Sequence, residues 1–196
     1  MKKFLTLMLI FFVSLTSVAL AQKPIKIARL PIVIQNIRLD YETSSTLEVK
    51  IARAVNIPLN KTLQIAEYLP PKESSKKFNK IWQAMRAEDR KATISDAVII
   101  LADDLKADLV ICPILREYSQ SVNHSGLNFE SLLSSYVSAE MIVYDRSTDT
   151  LIDKRASRSF KDNYNKFGTA SYLAGECFDK LIRDTGLRQI IRSKRG

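Results

Sequence analysis

The chain has 196 residues, with 30 Lys and Arg against 21 Asp and Glu and a formal net charge of +9. Its single histidine excludes a His-rich metal site, and its five glycines form no glycine-rich phosphate loop, which argues against nucleotide chemistry. The positive excess favours anionic partners, which outside a cell are lipid headgroups and wall polymers more than nucleic acid.

Lys2 and Lys3 precede an apolar run from Phe4 to Val13, and the stretch closes on Ala19-Leu20-Ala21 before Gln22. A charged start, an apolar centre and a small-x-small ending predict a cleavable secretory signal over residues 1–21, and hence a periplasmic or secreted product. Gln22 follows the cleavage site, so the mature start has no cysteine to carry a lipid. No later segment approaches the roughly 20 consecutive apolar residues of a membrane helix. Residues 22–187 then suit a single domain, followed by a basic C-terminal tail over 188–196.

In the mature chain, Ile25-Lys26-Ile27 leads into Leu30-Pro31-Ile32-Val33-Ile34, apolar on both faces, which predicts a buried first strand. Ser45 with Glu48 has the form of a capping box, and Leu47, Ile51, Ala54 and Val55 follow at helical spacing until Asn56 and Pro58. Thr62–Leu69 reads as a second strand ended by Pro70-Pro71, completing a βαβ unit with parallel strands. Phe78, Ile81, Trp82 and Met85 mark another helical face. Thr93 with Asp96 caps a further helix through Ile94, Ala97, Val98, Leu101, Ala102 and Leu105.

Leu109–Leu115 is a third, buried strand that continues through Tyr118, with Pro113 predicting a bulge or a local loss of pairing. Ser134–Tyr144 alternates with Val137, Ala139, Met141 and Val143 on one face. Asp145–Thr150 has turn chemistry before Leu151–Phe160, so these three strands form an antiparallel meander. A last helix carries Ala170, Leu173, Ala174, Cys177, Phe178, Leu181 and Ile182 on one face and stops near Gly186. The fold class is α/β (α+β): a single mixed sheet in the order β-α-β-α-β-β-β-α, with helices packed on it.

This order, with Ile27-Ala28-Arg29-Leu30-Pro31 in the first strand and Ala107-Asp108-Leu109-Val110-Ile111-Cys112-Pro113 leading the third, resembles a periplasmic α/β module. The module is shared by curli-secretion channel subunits, outer-membrane lipoproteins that activate penicillin-binding proteins, and the amino-terminal domain of the Tol translocation protein. The resemblance implies a binding domain of the envelope that acts through protein contacts. It carries over no functional residue, and the lipidated cysteine of the lipoprotein members is missing.

The residues themselves give few chemical candidates. Cys112 lies in an apolar strand and Cys177 on an apolar helix face, so each reads as a small buried hydrophobe or as half of a Cys112–Cys177 disulfide. A hydrolase would have to pair one of these thiols with His124, and buried thiols are inert. Ser125-Gly126 beside His124 lacks the strand-turn-helix setting of a nucleophile elbow. Asp103-Asp104 and Glu88-Asp89 diverge on a helix and read as solvated or capping charges. Candidate binding residues are the basic stretch Lys154, Arg155, Arg158 and Lys161, with Lys154 and Arg158 on one face of the strand and Arg155 on the other, together with Arg188, Arg192, Lys194 and Arg195. The expectation is a non-catalytic exported protein, without cofactor or metal, that binds another envelope protein. The alternatives are a peripheral binder of anionic lipid or wall polymer and a small secreted hydrolase.

Overall fold

The computed structural model describes residues 24–34, 37–56, 66–124 and 131–194; the signal expected over residues 1–21 lies outside them. Within these residues six strands form one mixed sheet: β1 (Ile25–Arg29), β2 (Val33–Ile34), β3 (Ala66–Leu69), β4 (Leu109–His124), β5 (Ser131–Asp145) and β6 (Thr150–Asn163). Among the described residues, five α-helices pack on it: α1 (Tyr41–Val55), α2 (Pro71–Glu88), α3 (Ile94–Leu105), α4 (Ala170–Asp184) and α5 (Leu187–Ser193). The strand order is β3-β1-β4-β5-β6, with β2 also beside β4. β1 runs parallel to β3 and β4, and β4, β5 and β6 form the antiparallel meander that the turn residues predict. The single mixed sheet with helices packed on it is the expected class. Among the described residues no helix is long and apolar enough to cross a membrane.

The first strand is split in two, and Pro113 explains why. Leu30 N donates to Ile111 O at 2.9 Å. The next bond of a parallel ladder would come from the N–H of residue 113, and proline has none. Pairing with β4 resumes at Val33↔Ile114. On the other side β4 and β5 stay in register through Pro113↔Met141, and their bulge falls later, between Leu115 and Glu117.

Glu48 repairs the broken edge. Its Oε1 accepts from Ile32 N at 2.6 Å and its Oε2 takes Arg29 Nη1 at 2.5 Å. The helix itself starts a turn before Ser45, because Asp40 caps it by accepting from Thr43 N at 2.8 Å. The expected Ser45/Glu48 capping box is therefore absent: the glutamate is used across the fold instead of along the helix. The Thr93–Asp96 box at the start of α3 is present in both halves.

Alternation along the strands separates two apolar layers. Ile27, Leu109, Ile111, Val137, Ala139, Met141 and Val143 meet α1, α4 and α5 on one face. Ala28, Val110, Cys112, Ile114, Ile142 and Tyr144 meet α2 and α3 on the other. Phe178 of α4 is fully buried, a burial that stabilises by about 1.5–3 kcal/mol. Gly168, in the 3-10 turn Lys166–Gly168, lies so close to Phe160 that a Cβ would stand 2.2 Å from its ring.

The C-terminal segment departs from the tail reading. Gly186 takes a left-handed φ of 62° that only glycine adopts without cost, and the chain re-enters a helix, α5, with Leu187 and Ile191 buried. Two apolar residues four apart, in a segment read for its charges, dock it onto the first layer.

Candidate functional site

Strand β5 changes character at Glu140. Beneath α2 and α3 its residues Tyr144 and Ile142 are buried and apolar. Past Glu140 the same face continues as Ser138, Tyr136 and Ser134, flanked by Ser157 and Ser159 of β6 at the paired positions. Tyr136 is 37% exposed and both β6 serines are exposed. Among the described residues, no helix covers this half of the meander. The opposite face stays closed, with Leu133, Ser135 and Val137 buried there.

The Glu140 side chain is 1% exposed, and a carboxylate so deep requires charged partners. Arg116 Nε donates to its Oε2, and Arg155 Nε stands 3.0 Å from the same oxygen. Arg116 reaches it because it is the extra residue of the bulge between Leu115 and Glu117; a bulge re-aims the side chain that it frees. Arg155 sits directly across from Glu140 in the β5–β6 register. Asp153, two residues from Arg155 and therefore on the same face, has its carboxyl raised above the ordinary range. Desolvation is the largest cause and the neighbouring Glu140 charge the next.

These side chains floor a cleft of about 780 Å³. Its wall is Trp82 and Arg86 of α2 and the opening residues of α3, with the Arg86 guanidinium 5.6 Å from the centre of the Trp82 ring. The cleft thus joins a flat aromatic wall, three guanidinium groups and two carboxylates at the rim of the uncovered sheet face. Such an arrangement recognises hydrogen-bonding and charged groups; its arginines and tryptophan belong to the residue types that anchor interfaces.

Of the residues singled out from sequence, Arg155 alone belongs to this cleft. Lys154 and Arg158 point to the opposite face, as alternation requires, and Arg158 stands 3.8 Å from Glu176 of α4. Lys161 is exposed on the uncovered face. Arg188 and Arg192 are exposed on α5, while Lys194 is tied to Asp145 at 2.6 Å and bonded to Ser147. Arg195 lies outside the described residues, as do Ser125, Gly126 and the side chain of His124. The basic residues therefore form no single patch: the two faces of β6 divide them, and Lys194 is consumed by an ion pair.

Cys112 and Cys177 do not pair. Both are free and buried, Cys112 in the layer beneath α2 and α3 and Cys177 in the layer beneath α1 and α4, so the sheet lies between them. Burial pushes the Cys112 thiol well above its ordinary value, with the Glu140 charge adding to the effect, and raises the Cys177 thiol as well, so neither is a ready nucleophile. Sequence reasoning missed Glu140, Arg116, Asp153 and Trp82 as site residues. The available signal was the second face of Ser134–Tyr144, where Ser134, Tyr136, Ser138 and Glu140 alternate with the apolar set.

No family model matches the chain, and neither does any curated protein. Solved structures with a similar chain course include the hypothetical protein CT253 from Chlamydia trachomatis, 15% identical over 88% of this chain and 96% of that one, with a TM-score of 0.44. Lipoprotein GNA1162 from Neisseria meningitidis is 15% identical over 83% and 99%, with a TM-score of 0.40. The LpoB C-terminal domain from Salmonella enterica is 12% identical over 76% and 90%, with a TM-score of 0.33.

Proposed function

We propose that this chain is a non-catalytic protein of the cell envelope that binds a protein partner across the Glu140 cleft and the uncovered face of β4–β6. The observation that carries the reading is the change along β5 from a buried apolar face to a solvent-facing one, with the cleft at the boundary. A sheet face left open beside a closed one offers a partner fixed polar groups without rearrangement, and Trp82 with Arg86 and Arg155 supplies anchors. The secretory signal read from residues 1–21 supports an envelope location, and the two buried thiols argue against cysteine chemistry. The partner engages hydrogen-bonding side chains more than an apolar surface, because serines dominate the open face.

The test places a photo-crosslinking amino acid at Tyr136 on the open face and, separately, at Tyr172 on α4, in cells that express the full chain. An adduct with one envelope protein from position 136, weakened by Arg155→Ala and absent from position 172, is the expected result. Adducts only from position 172, or turnover of a substrate by the purified protein, would overturn the reading.

A further inference from the structure

A second concavity lies on the opposite side of the sheet, between α1, α4 and α5. It encloses about 910 Å³, within the range of small-molecule sites. Lys50 and Arg53 enter it from α1, Asp179 and Arg183 from α4, and Arg188 from α5. Three separate segments therefore bring four cations and one carboxylate to one hollow. The carboxylate is already committed, since Asp179 holds Lys50 at 2.5 Å. Among the described residues, no carboxylate stands within ion-pair distance of Arg53, Arg183 or Arg188, so Asp179 is the one acidic group in the hollow and it is taken by Lys50.

The three guanidinium groups are exposed at the hollow, and two of them sit where the fold favours a cation. Arg53 and Arg183 occupy the last turns of α1 and α4, where the negative end of the helix dipole favours a cation. A dipole favours the charge without occupying the guanidinium donors. The left-handed turn at Gly186 then folds α5 back so that Arg188 closes the third side.

We propose that this hollow binds a phosphate-bearing ligand. A guanidinium presents a planar fork of donors that grips phosphate oxygens in pairs, and three of them match the charge of a phosphate dianion better than that of a single carboxylate. The hydroxyls of Ser45 and Thr46 and the amide of Gln189 add donors at the edge. Val49, 45% exposed, and Ile182 form an apolar wall beside the cationic one. The volume exceeds that of the anion alone, so the ligand is a phosphate ester with an attached organic group. A soluble ester and a phospholipid headgroup share this chemistry. The site is on the other face from the Glu140 cleft, so its failure leaves the partner-binding reading intact.

The experiment measures binding of the mature full chain to glycerol 3-phosphate by calorimetry and to vesicles of phosphatidylcholine with one-third phosphatidylglycerol by cosedimentation. One variant carries Arg183→Gln with Arg188→Gln; a charge-matched control carries Lys76→Gln with Lys80→Gln on α2. Binding of either probe that weakens about tenfold or more in the first variant and stays at the wild-type level in the control supports the site. Binding of the soluble ester assigns a soluble ligand, and binding of the vesicles alone assigns a headgroup. No binding of either probe, or equal weakening in both variants, overturns the proposal. Arg53→Gln, near the far end of α1, serves as an independent variant and is expected to weaken binding in the same assay.

Discussion

Glu140 and its arginines allow a test in which the larger loss comes from the more exposed residue. Arg116→Met leaves the Glu140 carboxylate, 1% exposed, with Arg155 as its remaining partner, and the Arg155 side chain is 66% exposed. Pairing with a group so exposed is screened and offsets little, about 0–1 kcal/mol. Removing one partner of a buried pair costs about 3–5 kcal/mol, so a loss near the low end, about 3 kcal/mol, is expected. Glu140→Leu acts the other way. It removes the charge that water cannot reach, places an apolar group beside Ile142 and leaves two arginines, of which Arg116 is 30% exposed, to hydrate or to turn toward Asp153. A loss within about 1 kcal/mol is expected. Urea unfolding followed by circular dichroism reads the difference: with a slope of about 2 kcal/mol per molar, Arg116→Met lowers the midpoint by about 1.5 M and Glu140→Leu by under about 0.5 M. The double variant should be more stable than Arg116→Met alone, because the stranded carboxylate is gone. A Glu140→Leu variant as unstable as Arg116→Met, or a double variant no better than the single one, would refute the argument from burial.

Two pH responses of opposite sign follow from neighbouring groups. The Asp153 carboxyl is raised, so its contribution is fully present below the unfolded value of 3.8 and is lost as pH rises through the folded value; Asp153→Asn should therefore be more stable than wild type at neutral pH and indistinguishable from it near pH 3. Asp145 is lowered: desolvation, its largest influence, opposes the shift, but the hydrogen bonds from Lys194 and Ser147 outweigh it. Its contribution is present above 3.8 and is lost as pH falls through the folded value, so Lys194→Met should cost about 1–2 kcal/mol at pH 7 and progressively less in acid, read as convergence of the two melting curves. For the cysteines, both thiols should resist a thiol reagent in the native protein, react together on unfolding, and give an intact mass two hydrogens above that of a disulfide form. Fast native labelling of either one would refute its burial.

Much of the architecture is written in local pattern. The Thr93–Asp96 box followed by Ile94, Ala97, Val98 and Leu101 specifies α3 by itself, and the turn between Asp145 and Thr150 specifies a hairpin, because these signals involve bonds only a few residues apart. The alternation that divides Lys154 and Arg158 from Arg155 is local in the same sense. Where a local signal competes with a distant partner, the distant partner decides. Glu48 has the spacing of a capping residue, yet Arg29 and the stranded Ile32 N–H take it, because an unpaired backbone donor at a broken edge costs more than an unused cap. Pro113 announces a defect but not its side, which depends on the neighbour that its missing N–H would have faced.

The sequence by itself determined helices α1 to α4, the meander and the alternating faces, since each follows from periodicity and turn chemistry over short stretches. Only the tertiary structure decided which faces receive a helix. Helices α2 and α3 reach as far as Ile142 and leave Ser138, Tyr136 and Ser134 in solvent, and that boundary turns Glu140 from one polar residue in an alternating strand into the buried centre of a cleft. The same layering put a sheet between Cys112 and Cys177, and docking α5 through Leu187 and Ile191 brought Arg188 to one side of the hollow between α1, α4 and α5. Such outcomes depend on how layers stack, and stacking is set by the summed burial of many residues far apart in the chain rather than by any one of them.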